Sequence, residues 1–154
     1  MAKKNKNIKV GVIGVGHLGR HHTKHDAQLK GANRIGVYDI DKRAREKTAL
    51  KYNTKPFDSM EALIKEVDAV SIVTPTHQHK VVAESCIKSG KHVFIEKPIT
   101  KTLGEANALI NLADKNKRLI QVGHIERLNP ALIPLSNLDL DPKYIEVQRL
   151  APYM

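Results

Sequence analysis

The sequence predicts a doubly wound α/β sheet of parallel strands, and three observations carry that expectation. Short apolar runs alternate with stretches of helical spacing from residue 8 to residue 122. The first run passes directly into Gly14-x-Gly16-x-x-Gly19. The carboxyl ends of the runs carry polar or turn residues, at the glycine loop, Asp39, Thr74-Pro75, Glu96-Lys97-Pro98 and Gln121-Val-Gly-His124. Alternation of strand and helix requires parallel pairing with right-handed crossovers. Ligands of such sheets bind beyond the carboxyl ends of the strands.

Bulk composition narrows the class. A chain of 154 residues, 41% hydrophobic and 27% charged, is the size of one soluble domain with its own core. No apolar run approaches the ~20 residues of a membrane span. The basic start, Met1 to Asn7, precedes a run too short for a signal peptide. The single cysteine, Cys86, rules out an internal disulfide and reads as a small buried hydrophobe. These features point to the cytoplasm, with no membrane contact. The net charge is +10, but Lys and Arg are scattered, aromatics are 4% and Trp is absent. Base-stacking platforms are scarce. The expectation is therefore no nucleic-acid partner and a surface that attracts anionic cofactors and substrates.

Residues 8–13 form the first strand, apolar at nearly every position as in a strand covered on both faces. Gly14 allows the tight turn, Gly16 lets a ligand approach the backbone, and Gly19 lets the next helix pack closely. That helix, from about Leu18 to Lys30, opens with His17 and Leu18, and its free N–H groups form a pyrophosphate site. His17 and His21 stand four apart, a metal-like spacing. No nearby carboxylate beyond Asp26 completes a ligand set, so no metal is expected. A second strand, Asn33–Asp39, ends twenty residues after Gly19 on an acid. Asp39 there would accept the adenosine ribose hydroxyls and repel a 2′-phosphate, which favours NAD over NADP. Ile40 adjoins it, and Lys42 and Arg43 close by would soften the preference.

A helix over Lys42–Tyr52 follows, then a loop through Pro56. Asp58-Ser-Met-Glu61 reads as a capping box opening a short helix to Glu66. Ala69–Thr74 is a buried-type strand, His77–Ser89 a helix closed by Gly90, and His92–Glu96 a further strand. Thr102-Leu-Gly-Glu105 caps a helix running to Asn116, and Leu119–Val122 is the last strand of the series.

With Thr74-Pro75-Thr76-His77-Gln78-His79, Gly90-Lys91-His92-Val93, Glu96-Lys97-Pro98 and Gln121-Val122-Gly123 leading to Arg127-Leu128-Asn129-Pro130, the chain resembles the glucose-fructose oxidoreductase / inositol dehydrogenase (Gfo/Idh/MocA) family over essentially its whole length. Thr76 and Leu128 depart from the Asn and Phe common in that family. The stretch 122–130 looks most like members acting on UDP-N-acetylhexosamines. The resemblance implies a Rossmann-type NAD(P) domain and hydride transfer between a sugar-type hydroxyl and nicotinamide. It implies Lys97 as the acid–base residue, and a lysine partly desolvated at a strand end would suit that role. It further implies Glu96 orienting the nicotinamide or its ribose, Pro98 fixing the backbone through a cis Lys97-Pro98 bond, and Thr74, Pro75, Thr76 and Gln121 lining the cofactor. His79 would either contact the nicotinamide side or have no role.

The resemblance implies a second α/β domain, with substrate contacts and the oligomer interface, that these residues are expected not to include. Residues 1–125 read as the dinucleotide-binding domain. Residues 126–154 read as a connector, with 143–150 alternating like the opening strand of that second domain. The expectation is the cofactor-binding half of a longer enzyme, inactive alone, whose whole protein is a homo-oligomer. The other reading is a nucleotide-sensing or partner-binding module without chemistry, since fold alone does not distinguish the two.

Overall fold

A computed structural model describes residues 7–139 and 141–148. They fall into two units, one ending at Gly123 and one beginning at His124. In the first, strands β1 (Ile8–Ile13), β2 (Ala32–Tyr38), β3 (Lys55–Pro56), β4 (Ala69–Ile72), β5 (His92–Ile95) and β6 (Ile120–Val122) alternate with helices α1 (His17–Asp26), α2 (Lys42–Lys51), α3 (Met60–Glu66), α4 (Thr76–Lys88) and α5 (Leu103–Asn116). The strands pair in parallel in the order β3-β2-β1-β4-β5-β6. The strand order reverses between β1 and β4, so a crevice opens at the carboxyl end of β1.

Successive strand residues point to opposite faces, which splits the core in two. Ile13, Leu63, Ile72, Ala83, Ile87, Ile95 and Leu109 pack together on one face. Val12, Val15, Val37 and Ala49 form a smaller cluster on the other. Phe57 packs over Gly36, where any Cβ would overlap its ring.

Several boundaries differ from the sequence expectation for local reasons. Helix α1 stops at Asp26, four residues early. Gln28 N–H donates to His25 O at 2.8 Å and Ala32 N–H to Leu29 O at 3.2 Å, with Gly31 at φ 85° between them. The pairing of β3 with β2 was not anticipated. It is two residues long and lies on the sheet edge, where Pro56 is tolerated. The cap of α3 is Ser59, whose Oγ accepts from Ala62 N–H at 3.1 Å, and not Asp58. The Asp58 carboxylate is instead taken by Arg45 at 2.8 Å. The Thr102–Glu105 capping box forms as expected.

The second unit contains two 3₁₀ turns, Ile125–Leu128 and Ile133–Asn137, and none of its described residues is buried. The strand expected over 143–150 is not present at 143–148, and residues 149 and 150 lie outside the described residues. A strand is stabilised by ladder bonds and a face to cover. No described residue of this unit offers it either one.

Beneath α1, Arg34 closes the ends of two helices. Its guanidinium donates to Thr23 O at 2.5 Å, to Tyr52 O, and to Asn53 O at 3.2 Å. Asp26 is buried beside it, with Oδ2 unpartnered. Burial pushes the Asp26 carboxyl above its usual value of 3.8, against the opposing pull of His22, Arg34 and His25. An acid raised in this way holds its proton more tightly in the folded state, so its contribution to stability falls as pH rises from about 4 upward. Urea denaturation of the wild type and Asp26→Asn at pH 4 and pH 7 checks this. The wild type should lose stability relative to the variant as pH rises.

Candidate functional site

The glycine loop is pinned between two strand ends. Gly14 sits at φ 89°, its N–H donates to Tyr38 O at 2.9 Å, and a Cβ there would stand 2.7 Å from the Val73 carbonyl. A Cβ on Gly19 would overlap Gly14 O. At Gly16 the opposite holds, with nothing within 4 Å of the Cβ position. Gly16 is the N-cap of α1 and supplies no side-chain cap. The first-turn N–H groups, from exposed His17, exposed Leu18 and buried Gly19, therefore have no capping side chain at the positive end of the helix. This is a cradle with room left in front of it.

Asp39 lies half-buried just past β2, and its carboxylate holds the loop. Oδ2 accepts from Val15 N–H at 2.7 Å and Oδ1 from Asp41 N–H at 2.9 Å. Each oxygen keeps a lone pair for a further donor. Ile40 and Arg43 are exposed on the same turn, and Arg43 N–H donates to Asp41 Oδ1 at 2.9 Å. Arg45 escaped the sequence reading. It is buried, and Nη1 donates to Asp39 O at 3.3 Å while Nη2 pairs with Asp58. Its place with Thr48 and Ala49 on the inner stripe of α2 was the available signal.

At the end of β4, the Thr74 hydroxyl is buried without a partner. Pro75 is the exposed N-cap of α4 and Thr76 its first residue. His79, in the first turns of that helix, is 1% exposed. Its Nδ1 lies 2.9 Å from Pro98 O and its Nε2 2.8 Å from Thr74 O. Both ring nitrogens therefore face main-chain carbonyls.

Beyond β5, Glu96 is buried, with Oε1 2.9 Å from His22 Nε2 and Oε2 accepting from Lys97 N–H at 3.2 Å. The His22 ring also lies 5.4 Å from that of Phe94. Its role in tying α1 to Glu96 was not read from sequence. The Lys97-Pro98 bond is cis. Lys97 and Pro98 are exposed, so the desolvation expected around Lys97 is not supplied by this unit, whose strand-end edge is open. Gln121 pairs with Phe94 within the sheet and donates to Val122 O at 3.1 Å, one residue short of the strand end. A 580 Å³ concavity between α3 and α4 contains none of these residues. Among the described residues no three His, Cys, Asp or Glu side chains gather to hold a metal, and the His17 and His21 rings meet edge-on at 5.3 Å.

The open cradle, the loop-bound acid and the orphaned Thr74 hydroxyl fit a dinucleotide. A parallel sheet with this switch-point loop defines a Rossmann NAD(P)-binding domain. A sequence model described as the oxidoreductase family, NAD-binding Rossmann fold, matches residues 8–124, and the chain belongs to that Gfo/Idh/MocA family. It is 42% identical over 148 residues to a UDP-N-acetylglucosamine 3-dehydrogenase of Acidithiobacillus ferrooxidans, covering 96% of this chain and 47% of that protein. It is 32% identical to a scyllo-inositol 2-dehydrogenase (NAD(+)) of Bacillus subtilis, covering 80% of this chain and 37% of that protein. Solved structures include the same Acidithiobacillus enzyme, with TM-score 0.81 over 84% of this chain and 41% of that one. Another is a biliverdin reductase from Synechocystis bound to biliverdin and NADP+, 26% identical, with TM-score 0.78 over 85% of this chain and 42% of that one. The chain thus spans less than half the length of these relatives.

Gly16 and Gly19 should separate under mutation. Gly19→Ala is expected to destabilise the loop and abolish NADH binding. Gly16→Val should leave the melting temperature nearly unchanged while weakening NADH binding about tenfold or more, a loss of ~1.4 kcal/mol. Fluorescence titration alongside thermal melts reads both.

Proposed function

We propose that this chain is the cofactor half of an NAD-dependent dehydrogenase acting on a sugar-type hydroxyl, with a nucleotide sugar of the UDP-N-acetylhexosamine class as substrate. The single observation behind the cofactor assignment is the Asp39 carboxylate, fixed at the glycine loop with lone pairs to spare. The likeness to the Acidithiobacillus enzyme supports the substrate class. Residues 126–154 are proposed to lead into a substrate domain, the whole protein to be a cytoplasmic homo-oligomer, and its partners to be the cofactor and the sugar alone.

The α1 N-terminus, with His17, Leu18 and Gly19, receives the pyrophosphate. Asp39 accepts the adenosine ribose hydroxyls, and a 2′-phosphate at that position meets a like charge. Ile40 and Arg43 border the adenosine end. Thr74, Pro75 and Thr76 line the middle of the crevice, where the Thr74 hydroxyl gains the partner it lacks. The bound nicotinamide supplies the hydride acceptor. Lys97 takes the substrate hydroxyl proton and returns it in the reverse direction. Glu96, held by His22, fixes the backbone from which Lys97 projects, and Gln121 flanks the far side of the crevice.

Two measurements test this reading. Calorimetry should show NAD binding more tightly than NADP, and Asp39→Gly should shift that ratio toward NADP by about tenfold. Tighter NADP binding by the wild type would overturn the role of Asp39. In the whole protein, Lys97→Met should spare NAD binding and lower turnover of UDP-N-acetylglucosamine by about 10² or more. Unchanged turnover would remove Lys97 from the chemistry, and a whole protein that binds NAD but turns over no sugar would favour a sensing module.

A further inference from the structure

Strands β4 and β5 are registered as far as Ile72 and Ile95, and the last backbone bond between them is Glu96 N–H to Ile72 O at 3.0 Å. Past that point the two chains leave the sheet as the Thr74-Pro75 and Lys97-Pro98 turns. What spans them is a side chain. The His79 ring, 1% exposed, reaches Thr74 O with Nε2 at 2.8 Å and Pro98 O with Nδ1 at 2.9 Å. Thr74 precedes the N-cap of α4, while Pro98 directly follows Lys97.

Lys97 is therefore held at its backbone from both sides. On one side Glu96 is bound by the ladder bond, by His22, and by the Lys97 N–H on its own carboxylate. On the other, Pro98 O is bound by His79. The Lys97 side chain is exposed and long, with four methylenes between backbone and amine. Two fixed neighbours limit the volume that the amine sweeps. We propose that His79 is a positioning residue for Lys97, a clamp that replaces the lost strand pairing and sets the Lys97 turn against the β4 turn. The proposal rests on the assignment of Lys97 to proton transfer.

Both of the clamp's partners are carbonyl oxygens, which only accept. A ring N–H donated to either carbonyl, from a ring buried between the two turns, holds them against each other. Misplacing a reacting group by about 1 Å costs on the order of 10² in rate, whereas binding of the remote part of a cofactor is insensitive to it.

Two experiments decide the matter. The first is ¹⁵N-histidine NMR on the wild-type chain at pH 7, with His79→Gln used to assign the signals. A His79 ring N–H that exchanges slowly with water is expected, from its hydrogen bond to Thr74 O or Pro98 O. Ring N–H exchange as fast as that of an exposed imidazole would overturn the clamp, whatever the substrate. The second is steady-state kinetics of the whole protein with NAD and UDP-N-acetylglucosamine. His79→Gln should lower kcat about 10- to 100-fold with KM for NAD within about 3-fold. An unchanged kcat in a folded variant, or a parallel loss of NAD affinity and kcat, would overturn the positioning role. Failure of the assignment on which the clamp rests shows separately, as full activity of Lys97→Met.

Discussion

One short hydrogen bond holds the site together, from Val15 N–H to Asp39 Oδ2 at 2.7 Å. It crosses from the loop after β1 to the end of β2, and the neighbouring bond from Gly14 N–H to Tyr38 O joins the same two segments. Without these two ties the glycine turn would have no fixed direction, since Gly14 is free to leave φ 89°. With them, the turn delivers the backbone to α1 at an angle that leaves the helix N-terminus facing open space. An acid that merely terminated a strand would leave the loop unheld. Here the same carboxylate orients the loop and keeps lone pairs for a ligand.

The second constraint is how the other strand ends are tied to that helix. His22 projects from the second turn of α1 onto Glu96, so the helix that would carry phosphate is coupled to the turn that bears Lys97. On the opposite side of the turn, His79 joins Pro98 to Thr74. Strand ladders stop at Ile72, Ile95 and Val122, and backbone pairing reaches one residue further, at Val73, Glu96 and Gly123. Two histidines take over that task, one reaching from the helix N-terminal to the sheet reversal and one from the helix after β4. Histidine suits this use because its ring places two nitrogens at fixed separation on a short stem.

The alternation of runs, the capping box at Thr102 and the glycine spacing were legible because each depends on neighbours within a few residues. The expectations that changed depended on distant groups. Asp58 reads as a cap until Arg45, thirteen residues earlier, is seen to occupy it. His79 reads as a nicotinamide-side contact or a histidine without a role until its ring is seen between Pro98 O and Thr74 O. The segment 143–150 has the alternation of a strand, but alternation forms no strand where the described residues offer no ladder.

Residue order alone determined the architecture. Parallel pairing follows from strand–helix alternation, and Gly14, Gly16 and Gly19 announce a crevice at the end of β1 through local backbone sterics. The tertiary structure decided which polar side chains serve the crevice and which serve the frame. Asp39 and Glu96 are both acids at strand ends and look alike in sequence. Only packing shows that one is held by backbone N–H groups with lone pairs to spare, while the other is taken by a histidine 74 residues away. That distinction is made by long-range contacts, and a buried polar group is assigned by whatever partner the fold brings within hydrogen-bond reach.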